Sequence, residues 1–528
     1  MSPVVLGMVP VCALLVGVAL QCVLAPALSA RGKGWLAFAS SLVALAGVLA
    51  LWPITLRGHA LDFRLFPWDG PIALAYHIDG LGQLFALMAA GIGAVVMIYS
   101  VSYMAQDRAA TRFYVLMLVF IAGMINLVYS ADPFIFYLSW ETVGLCSFLL
   151  VGFWYGQKEA ADGARKVLVM THIAGYGLLA AVLILYVKTG STLWTGQGVS
   201  AAFGTGLFLL TLLAAVAKSV QFPLHTWIPD AMAAPTPVSA LLHAACYVTA
   251  GVYFIARLHS FGAWPTSWQT IVIWIGTVTL LLGVLFALVQ SDLKRFLAFS
   301  TVSQIDYMIL GLGLGTPLGI AAGLLYCLNH GLFKGGLFLC AGAVEQATGT
   351  RDMDRLGGLV RRMPKTAFMW LILAGSISGV PLLSGFVSKW LIYVAAFQAG
   401  QIAPALIAWV ANVLTVFAFL RATSTVFLGD ESPGAAQGQE PPRAMFAGIA
   451  ALAAGSVVLG VAPQLAVNYV INPLMTAVGS APVIGISWLG LTAAGEVWFA
   501  TGGLILAIIA VGAGLLGVSS DFLEMAAA

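Results

Sequence analysis

Glu141, Lys218, Lys334 and Lys389 are charged residues standing inside apolar runs. A charge in the hydrocarbon region of a membrane costs at least about 2.5–3.5 kcal/mol on insertion scales, so each one calls for a reason. Glu141 and Lys218 are natural partners. A carboxylate beside an ammonium keeps both ionised, and separating them frees the lysine to release its proton. Lys334 follows His330 and Asn329 at about one helical turn, which places a polar face on one helix. Asp306 falls in a further apolar run, and His225 and His243 flank a proline-rich interruption. Imidazoles relay protons near neutral pH, so these residues extend the line. Ser147, Ser219, Ser239, Ser303 and Ser388 could order water between them. A satisfied helix–helix hydrogen bond is an equally good reading of either histidine alone, and Asp306 could pair with a lysine for packing. His172 and Asp230 are expected near helix ends, where they would snorkel or cap. His59, His77 and His259 are expected in loops.

The elements that must hold these groups are membrane helices. The chain has 528 residues, 61% hydrophobic and 8% charged, with mean hydropathy +1.00. Soluble domains carry about a quarter charged residues. Apolar runs of about 20 residues, enough for one span, begin near Val4, Leu36, Leu81, Phe113, Phe134, Lys166, Leu207, Val238, Ile271, Leu297, Ile320, Ala367, Ala403, Met445 and Thr501. The fold expected is all-α and polytopic, with about 14–15 spans. The run from Leu207 meets Pro223, Pro229, Pro235 and Pro237; the run from Ala367 meets Gly375, Gly379, Pro381 and Gly385. Both should break near mid-membrane, because Pro removes a backbone donor and Gly loosens the helix. Each break adjoins an intramembrane lysine, Lys218 or Lys389. Paired interruptions point to inverted repeats with the ion path between them.

Charge tests the layout. With the N-terminus outside, the outer loops hold Arg57, Arg64, Lys188 and Arg257, and Lys218, Lys334 and Lys389 lie within the membrane. The other sixteen of the 23 basic residues fall on the cytoplasmic side, as the positive-inside rule requires. The N-terminus reads as a first span and not as a cleaved signal, for no basic segment precedes it. The expected location is a bacterial-type inner membrane, with the C-terminus in the cytoplasm.

Several function classes are excluded. A net charge of +3 without a basic block argues against nucleic acid. The cysteines (Cys12, Cys22, Cys146, Cys246, Cys327, Cys340) are scattered singly and read as small buried apolar residues. No C-x-x-C pair, Rossmann glycine fingerprint or P-loop is present. No cofactor, metal or redox chemistry is therefore expected of this chain.

The stretch Ala217–Met232 (AKSVQFPLHTWIPDAM) and its continuation Ala234–His243 (APTPVSALLH) resemble a known family. Trp140–Ser147 (WETVGLCS), His330–Lys334 (HGLFK) and Gly385–Lys389 (GFVSK) match it in order. It is the family of antiporter-like proton-translocating subunits of respiratory complex I, chain L type, with their relatives in Mrp-type Na+/H+ antiporters and membrane-bound hydrogenases. The resemblance implies 14 core helices in two inverted five-helix repeats, with helices seven and twelve broken. The corresponding divisions are 1–105, 106–260, 261–428 and 429–528. It implies that Glu141 and Lys218 form a gating ion pair, with His243 a connecting relay, Lys334 the central proton-holding lysine and Lys389 the terminal one. The expected function is a proton-translocating subunit of a complex I-like assembly, an NADH:quinone oxidoreductase or an energy-converting hydrogenase type, with other membrane subunits as partners. The alternatives are one component of a Mrp-type antiporter, or the membrane half of a proton-coupled inorganic-carbon transporter.

The sequence departs from chain L in three places. The acid expected on helix six is replaced by Gly175. Trp390 stands where an acid often follows the terminal lysine. The chain also ends about ten residues after its last expected span, short of a lateral helix. Ala347–Asp352 (ATGTRD) and the Ser388-Lys389-Trp390 ending look closer to the Mrp and hydrogenase relatives.

Overall fold

A computed structural model describes residues 3–65, 74–190, 193, 198–487, 490–493 and 496–499. Helices α1 (Pro3–Val23) and α2 (Ala30–Thr55) are followed by a hairpin of β1 (Leu61–Arg64) and β2 (Ala75–Ile78). Then come α3 (Gly80–Tyr103), α4 (Ala110–Tyr129), α5 (Pro133–Val151) and α6 (Lys158–Thr189). The half-length α7 (Thr205–Lys218) leads through an irregular segment into α8 (Thr236–Phe261). The second half of the chain holds α9 (Thr266–Leu288), α10 (Leu293–Gly313), α11 (Pro317–Thr348), α12 (Pro364–Ser378), α13 (Ser384–Gln398), α14 (Ile402–Phe427) and α15 (Arg443–Val461). Three short antiparallel strands follow: β3 (Ile484–Ser487), β4 (Gly490–Ala493) and β5 (Glu496–Phe499).

Among the described residues, twelve helices are long and apolar enough to cross a membrane. The two interrupted runs, α7 with its irregular continuation and α12 with α13, stand beside them. This is the polytopic all-helical architecture expected from the sequence. The span expected near Thr501, and with it the C-terminus, lies outside the described residues.

Local chemistry sets the helix starts. Side chains of Ser29, Asp79, Asp132, Asp292 and Thr316 accept backbone N–H groups at the first turns of α2, α3, α5, α10 and α11. Such caps satisfy donors that the helix itself cannot. The breaks appear where Pro and Gly placed them. After Lys218 the backbone turns through Val220 at φ 59° and becomes helical again only in a short turn, Asp230–Ala233, before α8. Between α12 and α13 it turns at Gly379 (φ 76°) and Leu382 (φ 68°).

The interior is formed by α8, α10 and α11. Their most apolar stretches are 100%, 94% and 94% buried, against 33% for α1 and 39% for α14. Close approach of α9 to α10 depends on glycine: a Cβ at Gly283 would lie 2.5 Å from the backbone nitrogen of Ser303. Small residues of this kind let membrane helices pack in the absence of a hydrophobic drive between them. Four cysteines are buried as expected, but Cys12 and Cys22 are exposed. They lie on α1, whose outer face no other described residue covers.

Candidate proton path

All three intramembrane lysines are buried, and neutral oxygens hold their ammonium groups. Lys218, the last residue of α7, donates to the Trp140 carbonyl at 2.6 Å and lies 4.1 Å from the Trp140 ring centre. Lys334 donates to Ser300 Oγ at 2.7 Å and lies 3.4 Å from the Leu297 carbonyl. Lys389 crosses the second break to the Ile377 carbonyl at 2.7 Å and reaches Asn412 Oδ1 on α14 at 2.6 Å. Ile377 is in the last turn of α12, so the ammonium meets unsatisfied carbonyls and the negative end of a helix dipole. No carboxylate lies within ion-pair distance of these lysines among the described residues.

His243 occupies a π turn of α8, Leu242–Cys246. Its Nδ1 is 3.0 Å from Thr301 Oγ1, and Thr301 Oγ1 in turn donates to the Leu297 carbonyl at 2.9 Å. His243 and Lys334 therefore grip the same turn of α10 from two sides. Asn329, on α11 beside His330, donates to the Ser384 carbonyl at 2.6 Å and to Ser388 Oγ at 3.1 Å, which ties Lys334's helix to Lys389's. Both ring nitrogens of His330, Nε2 of His243 and Oγ of Ser147, Ser239 and Ser303 are buried without a protein partner. Buried polar groups are rarely left so. Their clustering along α5, α8, α10 and α11 marks a polar interior that suits bridging water.

The expected pairs are partly corrected. Glu141 makes no ion pair with Lys218. Its Oε2 lies 2.9 Å from Nε2 of His172, while Lys218 takes the carbonyl of the preceding residue. Glu141 still feels the Lys218 charge. His172 is not near a helix end; it is in the middle of α6. Asp306 is fully buried with both oxygens unpaired; it is close to Gln221 of the first break and makes no ion pair with a lysine. His225 is stacked between Phe222 and Phe286. Asp230 does not cap a long helix. It pairs with Lys166 at 2.6 Å and Arg295 at 3.3 Å, pinning the irregular segment to α6 and α10.

At the opposite end, Arg257 of α8 makes a two-pronged bond to Asp79, at 2.5 and 2.9 Å. His77, expected in a loop, is on β2 between Asp62 and Asp79. Burial pulls its imidazole down, but the bonds and charge of Asp79, aided by Asp62, outweigh this and raise its pKa above the usual histidine value. Burial likewise pushes the Asp79 carboxyl up, and Arg257 and His77 outweigh it, holding it well below the usual carboxylate range. His259 is buried, stacked on Trp264 and bonded to the Leu312 carbonyl. Sequence reasoning misplaced His172 and missed Thr301 and Asn412; the lone amide in the apolar run of α14 was the readable signal for the last.

A helical bundle with two broken spans and uncompensated buried lysines is the construction of an ion-translocating membrane protein. Residues 130–415 match the family model described as NADH:quinone oxidoreductase/Mrp antiporter, transmembrane, and residues 69–114 match that for the complex I chain 5 N-terminus. The chain belongs to this proton-antiporter family. It is 36% identical to a component of a probable K(+)/H(+) antiporter of Rhizobium meliloti, over 81% of this chain but only 44% of that protein. It is 39% identical to NADH-quinone oxidoreductase subunit L of Mycobacterium tuberculosis, over 90% of this chain and 75% of that one. A chain in the membrane-bound sulfane sulfur reductase, an archaeal respiratory membrane complex, superposes with TM-score 0.86 at 28% identity, covering 98% of this chain and 84% of that chain.

Proposed function

We propose that this chain is the proton-translocating subunit of a multi-subunit redox membrane complex, and that protons pass along Glu141, Lys218, His243, Lys334 and Lys389. The observation that carries this reading is the set of three buried lysines bound only to carbonyl, hydroxyl and amide oxygens. A lysine paired with a carboxylate must leave a bare anion when it deprotonates. One held by neutral acceptors leaves none, so its proton can come and go. Ser300 suits the exchange because a hydroxyl can accept from an ammonium or donate to an amine. His330 and Asn329 line the segment between Lys334 and Lys389. Asp306 and His225 are side stations near the first break, which Gln221 and the Phe222–Phe286 stack connect to α9 and α10.

The two interruptions support a division into repeats at 106–260 and 261–428, with a path where they meet. The excess of Lys and Arg on one side supports an outside N-terminus. The similarity to subunit L and to the sulfane sulfur reductase chain supports redox-driven partners. A second reading, exchange of a metal cation for protons in a Mrp-type assembly, is favoured by the antiporter relative. The test is Lys334→Ala in the assembled complex. Proton translocation should fall to background while the amount of complex on native gels stays near normal. Normal translocation by this variant would refute the relay.

A further inference from the structure

Glu141 is at the rim of the bundle, on a face of α5 and α6 that also exposes Leu138, Leu145 and Ile173. Two glycines make the pocket it shares with His172. A Cβ at Gly175 would lie 2.5 Å from Glu141 Oε1, and one at Gly144 would lie 3.2 Å from the His172 ring. The carboxylate therefore fills the space a side chain at 175 would need, and the imidazole packs close against α5 at Gly144. The Glu141 and His172 side chains are 18% and 26% exposed. His172 Nδ1, by contrast, is buried without a partner, as is Ser147 Oγ one turn beyond Gly144. The other titratable groups around the pair are Lys218 of α7, Tyr137 of α5, Tyr176 of α6 and Tyr247 of α8. None of them is within hydrogen-bond distance of the Glu141 carboxylate.

From this arrangement we infer that His172 is the proton shuttle that loads Glu141, so that the first titrating unit of the path is a carboxylate–imidazole dyad and not a Glu–Lys ion pair. The inference rests on the relay reading above. A proton accepted at Nδ1 is matched by one leaving Nε2 for Glu141 Oε2. The ring ends neutral, as the other tautomer; once the carboxyl has passed its proton on, the partly exposed ring resets through water, Nδ1 releasing one proton as Nε2 takes one up. No other bond changes. An imidazole suits the task because its two nitrogens accept and donate on opposite edges near neutral pH.

The test uses the assembled complex in sealed vesicles, with translocation measured from pH 5.5 to 9. His172→Gln keeps a hydrogen-bond donor beside Glu141 but cannot titrate. It should lower the rate at neutral pH by about tenfold or more, the scale on which a positioned acid–base group acts, and flatten the pH profile. The carboxyl infrared band that disappears in Glu141→Gln should also shift. Gly175→Ala, which displaces the carboxylate without touching the ring, should reproduce the loss and decides the matter if His172→Gln fails to assemble. A His172→Gln profile and infrared band that superimpose on those of the unaltered protein, with Lys334→Ala inactive, overturn the dyad and leave the relay standing. Normal translocation by Lys334→Ala overturns the relay and the dyad with it.

Discussion

Lys389 reaches two acceptors on two different elements, the Ile377 carbonyl at the end of α12 and the Asn412 amide on α14. The carbonyl is fixed by the helix that bears it, whereas the amide can turn. Asn412 therefore adapts to either protonation state of the lysine, and Asn412→Leu removes that adaptability. Proton translocation should fall about tenfold, the loss expected when one charge-assisted bond of about 1.5 kcal/mol is removed, with the complex still assembled. Asn412→Asp should be worse, because a carboxylate there pins the ammonium in its charged form. Initial rates of acidification in vesicles distinguish the two. The chemistry of the lysines was readable in the sequence because each interrupts an apolar run. Their acceptors were not, since carbonyls and serines are everywhere in such a chain and only packing selects among them. His172 was misjudged for a related reason: the expected run began near Lys166, whereas α6 begins at Lys158, so a mid-helix residue looked terminal.

The second break is held open by close backbone approaches at glycine. A Cβ at Gly385 would lie 2.0 Å from the Ser376 carbonyl oxygen, and one at Gly460 would lie 2.1 Å from that of Leu382. Both obstacles are backbone, so neither can swing aside. Gly385→Ala or Gly460→Ala should destabilise the second break by about 1–3 kcal/mol, as overpacking does. Gly206→Ala on α7, which faces open space, should be near neutral. Thermal unfolding in detergent compares the three. Both breaks were legible from Pro and Gly placement, and the twelve long spans from apolar run length. The β1–β2 hairpin was not, because four-residue strands leave no periodicity to detect. Nor was the clamp of Lys166 and Arg295 on Asp230, which joins residues more than sixty positions apart.

Among the described spans, α8 is the most deeply buried, running from the ion-paired mouth of the first break to the Asp79–Arg257 lock. The lock sets a pH response at that end. His77 titrates above its unfolded value, so the stability it contributes is complete below about pH 6.5. That contribution is lost as pH rises through the folded value. The difference in melting temperature between the protein and His77→Gln should therefore shrink from pH 6 to pH 9; a constant difference would show that His77 acts only by packing. The π turn at Leu242–Cys246 bears on the same helix in another way. It inserts one residue into the winding, about 100° of rotation, between His243 and Arg257. The inner and outer halves of α8 are thus out of phase with each other by design of the winding itself. Deleting one residue from that turn would leave two sound half-helices unable to keep both appointments: with His243 on α10, Arg257 would swing away from Asp79.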